Sequence, residues 1–326
     1  MPLLLPRTIV PEPPGPTDPE VPGPPIPEPP PPEVQVVAAT WTAPDGTVLN
    51  LMDEWSPTGV MLLSEGVAGL GAAPRSVSRV ALPTGGSAVR WSRADERIVT
   101  LPLMLQAPTP DEFLSLRRQV TRAFTQTTPA AGMPTQGTLR ITRGDGSWRE
   151  ISGVYLSGLE WEDSDRKGVD HDVIVVQLLC DPWWRGESVQ ELEFAYVGNR
   201  DYLSPYETVS PDRTLGEATV NILGDVDALP VWTITGPATS VTVRYPGAGP
   251  GWTFGAIAAG VSVTIDVEKS TVTDSTGANR IANVAWPTSR LFTLRPGRND
   301  LLLSITGGIE GTSSIRLTYR PRWETA

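Results

Sequence analysis

Short stretches in which apolar and polar residues alternate recur along most of the chain, and Gly, Pro, Asn and Asp punctuate them. Alternation with a period of two places successive side chains on opposite faces of an extended strand, so the pattern predicts half-buried β-strands. Examples are Thr138-Leu-Arg-Ile-Thr142, the series Val261, Val263, Ile265 and Val267, and the closing Ile315, Leu317 and Tyr319. Further strands are expected at 34–37, 77–82, 98–105 and within 148–161. Turn signals separate them, such as Ala43-Pro-Asp-Gly-Thr47 and Gly144-Asp-Gly146. The run from Asp172 to Cys180 is nearly all apolar and reads as a strand buried on both faces, ended by Asp181-Pro182 because proline cannot donate to a sheet ladder.

One segment has the other period. Phe113, Leu116, Val120 and Phe124 recur at spacings of three and four, which puts them on one face of a helix over 109–124. Thr109 is a suitable N-cap, Pro110 suits the first helical position and Glu112 completes a capping box. Arg117, Arg118 and Arg122 fall toward the carboxyl end, where positive charge complements the helix dipole. The apolar stripe is expected to cover one face of a sheet.

These elements define an all-β fold with one helix in the first domain. Two β-sandwich-like domains are expected, spanning 34–190 and 191–326, with the junction near 185–198. An extended arm at 1–33 precedes them. Residues 11–32 are more than half proline, a composition that cannot bury apolar surface and adopts polyproline II. At about 3.1 Å per residue this segment could reach roughly 70 Å. It is either a linker or a strap laid along a neighbouring subunit, and polyproline II favours a strap because it is already extended.

Composition narrows the function. The 326 residues carry a net charge of −11. That argues against a nucleic-acid surface, which needs clustered Lys and Arg, and against a polybasic membrane patch. No apolar run approaches the roughly 18–20 residues that span a bilayer. Cys180 is the only cysteine, which excludes an intramolecular disulfide and a cysteine-rich zinc site. A fold without disulfides is compatible with synthesis in a cytoplasm.

Candidate chemistry is sparse. His171 is the only histidine, so any Ser-His-Asp or Cys-His site would have to use it; its place in Asp170-His171-Asp172 suits a solvated turn better. Cys180 reads as a buried filler. The carboxylates Glu160, Glu162, Asp163, Asp165, Asp170 and Asp172 fail as a calcium loop, because Lys167 and Ile174 occupy positions that require ligands. A charged hairpin tip accounts for them. No P-loop, Gly-x-Gly-x-x-Gly or His-Glu-x-x-His motif is present. The chain is therefore expected to be no enzyme, with no cofactor and no metal. Eleven tryptophans remain to be placed. Most suit cores or interfaces; Trp252 and Trp286 are the candidates for stacking on a glycan.

The order of the motifs carries a resemblance. Thr109-Pro-Asp-Glu-Phe-x-x-Leu-Arg-Arg118 opens the helix, and Gly137-Thr-Leu-Arg-Ile-Thr-Arg-Gly-Asp-Gly-Ser-Trp-Arg149 follows. A long strand ends in Cys180-Asp-Pro-Trp-Trp-Arg-Gly186. Then come Trp232-Thr-Ile-Thr-Gly-Pro-Ala238, Leu294-Arg-Pro-Gly-Arg-Asn299 and Leu317-Thr-Tyr-Arg-Pro-Arg-Trp323. Over roughly 35–323 the chain resembles the siphophage distal tail protein family, whose members are also called minor tail proteins. The resemblance implies a structural virion protein, a homo-hexameric ring at the distal end of a long phage tail. The first domain would build the ring and the second would be a galectin-like or carbohydrate-module-like sandwich. Implied partners are the tail tube protein, tail-tip hub and tape-measure-type proteins, and receptor-binding proteins. DNA would pass through the lumen without specific binding, and the protein would reside at the virion tail tip after synthesis in the host cytoplasm. The alternative is a glycan-binding adhesion module of the virion that uses the second-domain tryptophans.

Overall fold

The computed structural model describes residues 38–53, 56–129, 132–161, 171–197 and 216–326. The proline-rich arm and the expected strand at 34–37 lie outside the described residues.

The first part of the chain contributes β1 (Ala38–Thr42), β2 (Val48–Asn50), β3 (Gly59–Leu62), β4 (Arg75–Ala81), β5 (Ser87–Ala94), β6 (Arg97–Gln106), helix α1 (Pro110–Thr125), β7 (Gly137–Thr142), β8 (Trp148–Ser157), β9 (His171–Cys180) and β10 (Trp184–Gly186). One antiparallel sheet runs in the order β2-β1-β7-β8-β9-β6-β3. Its two ends meet. Met52 bridges Met61, Leu62 N–H donates to Leu51 O at 2.6 Å, and Asp53 N–H donates to Val60 O at 3.0 Å. A sheet that curls until its edges meet leaves no exposed ladder there to aggregate.

Helix α1 lies over the core inside this curl. Thr109 Oγ1 accepts from Glu112 N–H, and Pro110 opens the helix as its sequence predicts. The buried face is Phe113, Leu116, Val120, Ala123 and Phe124. Trp41 of β1 stacks on Phe124 with ring centroids 5.0 Å apart, and its indole N–H donates to Ala123 O at 3.0 Å. A side chain at Gly137 would collide with the Trp41 ring at 2.3 Å, so β7 needs glycine there for the tryptophan to lie flat. Thr127 Oγ1 ties the end of the helix to β8 by accepting from Tyr155 N–H at 2.8 Å.

Strand β9 departs from its sequence pattern. Ile174, Val176, Leu178 and Cys180 face the core, whereas Val173 and Val175 stay about half exposed on the outer face. The sequence shows an apolar run without alternation; the closed sheet offers it only one covered face.

The remainder forms β11 (Gln190–Ala195), β12 (Glu217–Ile222), β13 (Val231–Thr235), β14 (Ser240–Arg244), β15 (Gly251–Phe254), β16 (Ser262–Asp266), β17 (Thr271–Asp274), β18 (Gly297–Thr306), β19 (Ser314–Tyr319) and β20 (Arg322–Trp323). Two antiparallel sheets, β11-β19-β13-β16-β17 and β12-β18-β14-β15, share a second core. In the expected alternations, Val263 and Ile265 and Ile315, Leu317 and Tyr319 turn inward, with Val261 and Val267 partly buried; Val241 and Val243 of β14 are buried with them. Trp232 of β13 meets Trp252 of β15 across the sandwich at 6.0 Å, edge to face, the arrangement that ring quadrupoles favour. Strand β20 leaves the sandwich and pairs with β10 of the first sheet. The sequence gives no sign of this return.

The packing yields a graded expectation. Phe124→Ala removes a fully buried ring and should cost about 3–5 kcal/mol. Thr109→Ala removes a cap and should cost about 1 kcal/mol. Urea unfolding of both variants checks the ratio; equal losses would mean that α1 is not packed as described.

Candidate assembly surfaces

The chain's two cores are joined by charged side chains that reach backbone carbonyls. Arg97 starts β6 and is buried. Its guanidinium donates to Gly69 O, Gly71 O, Pro182 O and Glu324 O, so one side chain gathers the loop before β4, the Asp-Pro-Trp-Trp turn and the chain end. It also sits over Trp184, 5.9 Å from the ring centroid. Burial pushes the Arg97 pKa down from its ordinary value. A buried cation is tolerated only when several acceptors replace its water, and the carbonyls do so here.

Arg320 continues this seam. It pairs with Glu150 of β8 at 2.8 Å and donates to Gly186 O at 3.0 Å. Arg322 donates to Asp227 O at 3.0 Å, and Arg185 pairs with Glu268 at 3.0 Å. Arg149 stacks on Trp323 at 3.8 Å while it holds Thr325 O at 2.8 Å. The Asp-Pro-Trp-Trp and Arg-Pro-Arg-Trp segments thus meet in space, and their role is to fix the sandwich against the first sheet.

Two surfaces lack this cover. Strands β4 and β5 form a two-stranded hairpin that, among the described residues, pairs with no other strand. Val77, Val80, Leu82, Val89 and Trp91 are exposed on it, the last two at 63% and 51%. A lone hairpin is at best marginally stable in water, so bare apolar side chains along it mark a contact surface. Between residues 75 and 94 there are four arginines and no acid, a basic projection on an acidic chain. The second surface is the outer face of β6, β8 and β9, where Ile98, Leu156, Val173 and Val175 are exposed. Sequence reasoning placed strands at 77–82 and 98–105 but had no means of seeing that these faces would stay uncovered.

The residues singled out by sequence fall in different places. Trp252 is 1% exposed and lies in the second core against Trp232, so it has no face to offer a sugar; the expectation of glycan stacking there is corrected. Trp286 is 49% exposed, and its indole N–H donates to Ile281 O at 3.1 Å. The two do not form a common platform. Cys180 is buried, and desolvation pushes its thiol up to about 12, with Asp181 adding to the rise. His171 begins β9 and is exposed. Of the acidic cluster, residues 162–170 lie outside the described part. Among the described residues no three His, Cys, Asp or Glu side chains are grouped to hold a metal ion.

Comparison with known proteins agrees with this architecture. Residues 223–323 match the model of the siphovirus-type tail component, C-terminal domain. The match spans β13 to β20. No curated protein matches the sequence. Among solved structures, the Dit protein of phage SPP1 has a TM-score of 0.60 at 12% identity, over 87% of this chain and 99% of that one. It is described as a paradigm of the hub adsorption apparatus in phages that infect Gram-positive bacteria. The phage P2 baseplate in its activated conformation with Ca gives a TM-score of 0.47 at 10% identity, over 87% of this chain and 98% of that one. The chain is thus similar to siphovirus tail components in sequence over residues 223–323 and to the SPP1 protein in fold over most of its length.

Two outcomes follow from the seam and the thiol. Arg97→Ala leaves the gathered carbonyls without a donor and should cost on the order of 3–5 kcal/mol. It should also expose amide hydrogens of residues 322–326 to exchange, and unchanged protection would show that Arg97 does not anchor the chain end. A Cys180 thiol held at about 12 should resist a thiol reagent at pH 8 and react on unfolding. Because an unfolded thiol ionises near 9, this group's contribution to stability is lost as the pH rises above that value.

Proposed function

We propose that the chain is a structural ring protein at the distal end of a long phage tail, with no catalysis of its own. Residues 34–190 form the ring body and 191–326 the sandwich that faces outward. The ring joins the tail tube to tail-tip hub, tape-measure-type and receptor-binding proteins.

The observation that carries this reading is a pair of unlike exposed surfaces, one on the β4–β5 hairpin and one on the first sheet. A closed ring uses a heterologous interface, in which one patch of each copy meets a different patch of the next. The β4–β5 hairpin supplies one half, with Val89 and Trp91 bare. The outer face of β6, β8 and β9 supplies the other, with Val173 and Val175 bare. Six copies satisfy the reading, and the proline-rich arm adds a strap to a neighbour. DNA passes through the lumen without specific binding.

Solution mass by light scattering tests the proposal. The wild-type chain should form a hexamer, alone or as a stacked pair. Changing Val89 and Trp91 to Ser, or Val173 and Val175 to Glu, should each leave a folded monomer with unchanged circular dichroism. Mixing the two variants should give a dimer and nothing larger, because each retains one half of the interface. A mixture that stays monomeric, or variants that still form rings, would overturn the assignment of these surfaces. Removal of residues 1–33 should weaken assembly; unchanged assembly would refute the strap.

A further inference from the structure

The ring reading leaves one cleft of the sandwich unused. It opens where Tyr245 follows β14, Pro250 precedes β15 and the 295–299 turn leads into β18. Its volume is about 740 Å3, within the range of small-ligand sites. Asp227, Tyr245, Phe292, Arg295, Arg298 and Asp300 give it its chemistry. The half-buried Tyr245 ring lines the cleft, backed by the buried Phe292 ring 5.2 Å away and tilted by 57°.

Buried Asn299 sets the shape of the cleft before any ligand arrives. Its Nδ2 donates to Arg295 O at 2.7 Å and to Gly297 O at 2.9 Å. Its Oδ1 accepts from Arg295 N–H at 3.1 Å and from the Tyr245 hydroxyl at 2.5 Å. The turn and the ring are therefore held together, which lowers the entropy cost of binding. Around them, Asp227 accepts from Thr293 Oγ1 at 2.8 Å and Arg298 pairs with Asp300 at 3.0 Å. Among the described residues no hydrogen bond or ion pair holds the Arg295 guanidinium, although the residue lines the cleft.

Two arginines and two aspartates give the cleft no net charge. A phosphate or carboxylate ligand would call for an excess of cations. A hydroxyl both donates and accepts, so neighbouring hydroxyls can satisfy an arginine and a carboxylate together. A ring of C–H groups packs on an aromatic face. We propose that this cleft binds a neutral saccharide, with Tyr245 beneath the sugar and Arg295 and Asp227 on its hydroxyls. Neither Trp252 nor Trp286 lines it.

The test is calorimetric titration of the full chain with neutral tri- to hexasaccharides of glucose, galactose and N-acetylglucosamine. At least one should bind with a Kd of about 1 mM or tighter. Arg295→Ala and Asp227→Asn should each weaken that binding about tenfold or more, the scale of one charge-assisted hydrogen bond. Both side chains lie at the surface of the cleft, and an unchanged thermal midpoint would confirm that they fold. Trp286→Ala should leave the affinity unchanged. No binding by the wild-type chain, an affinity unmoved by Arg295→Ala, or preference for phosphorylated or acidic sugars would each overturn the proposal. Binding is read per chain at any oligomeric state, so its failure is separable from failure of the ring.

Discussion

The structure depends on a buried positive charge that must find acceptors. Arg97 of the first sheet sits where the loop before β4, the Asp-Pro-Trp-Trp turn and the chain end converge, and backbone carbonyls from all three take the place of its water. An apolar residue there would leave those carbonyls unpaired in a dry environment, at a cost of several kcal/mol. The guanidinium therefore does more than fill space. It requires the last residues of the chain to come back to the first sheet, and that return fixes where the sandwich stands. Arg320, Arg322 and Arg149 repeat the device along the same seam, each reaching a carbonyl or carboxylate on the far side.

Tryptophan supplies the apolar counterpart. Trp41 closes the helix onto the first sheet, and Trp232 with Trp252 fills the middle of the sandwich. Trp183, Trp184 and Trp323 lie under or beside arginines at the seam. Large flat side chains suit this task because one face can pack on carbon while the other takes a guanidinium. Interior and seam use the tryptophans so fully that few are left for a ligand, and the Arg295 guanidinium lines a cleft beside Tyr245 instead.

A rigid unit with unlike bare surfaces suits a molecule that works by being placed between others. The hairpin and the outer sheet face are costly in an isolated monomer and useful in a closed assembly. In the proposed ring, the half-exposed β9 valines make sense as a surface for a neighbour rather than as failed core.

Local elements were legible in the residue pattern alone. The helix over 109–124 was legible because a cap, a first-turn proline and a stripe at three-and-four spacing all agree. The sandwich strands were legible because a period of two survives any tertiary arrangement. Motif order carried the resemblance, and the Asp-Pro-Trp-Trp and Arg-Pro-Arg-Trp segments it rested on meet at one seam. Which faces are covered was settled by packing between distant segments. The apolar run of β9 reads the same whether one side or two are buried, and Trp252 and Trp286 are the same residue type in core and on surface. Burial depends on chain segments far away in sequence, such as β20 against β10 and Glu324 against Arg97. No local pattern encodes those distances, because they are fixed by the simultaneous packing of the whole chain.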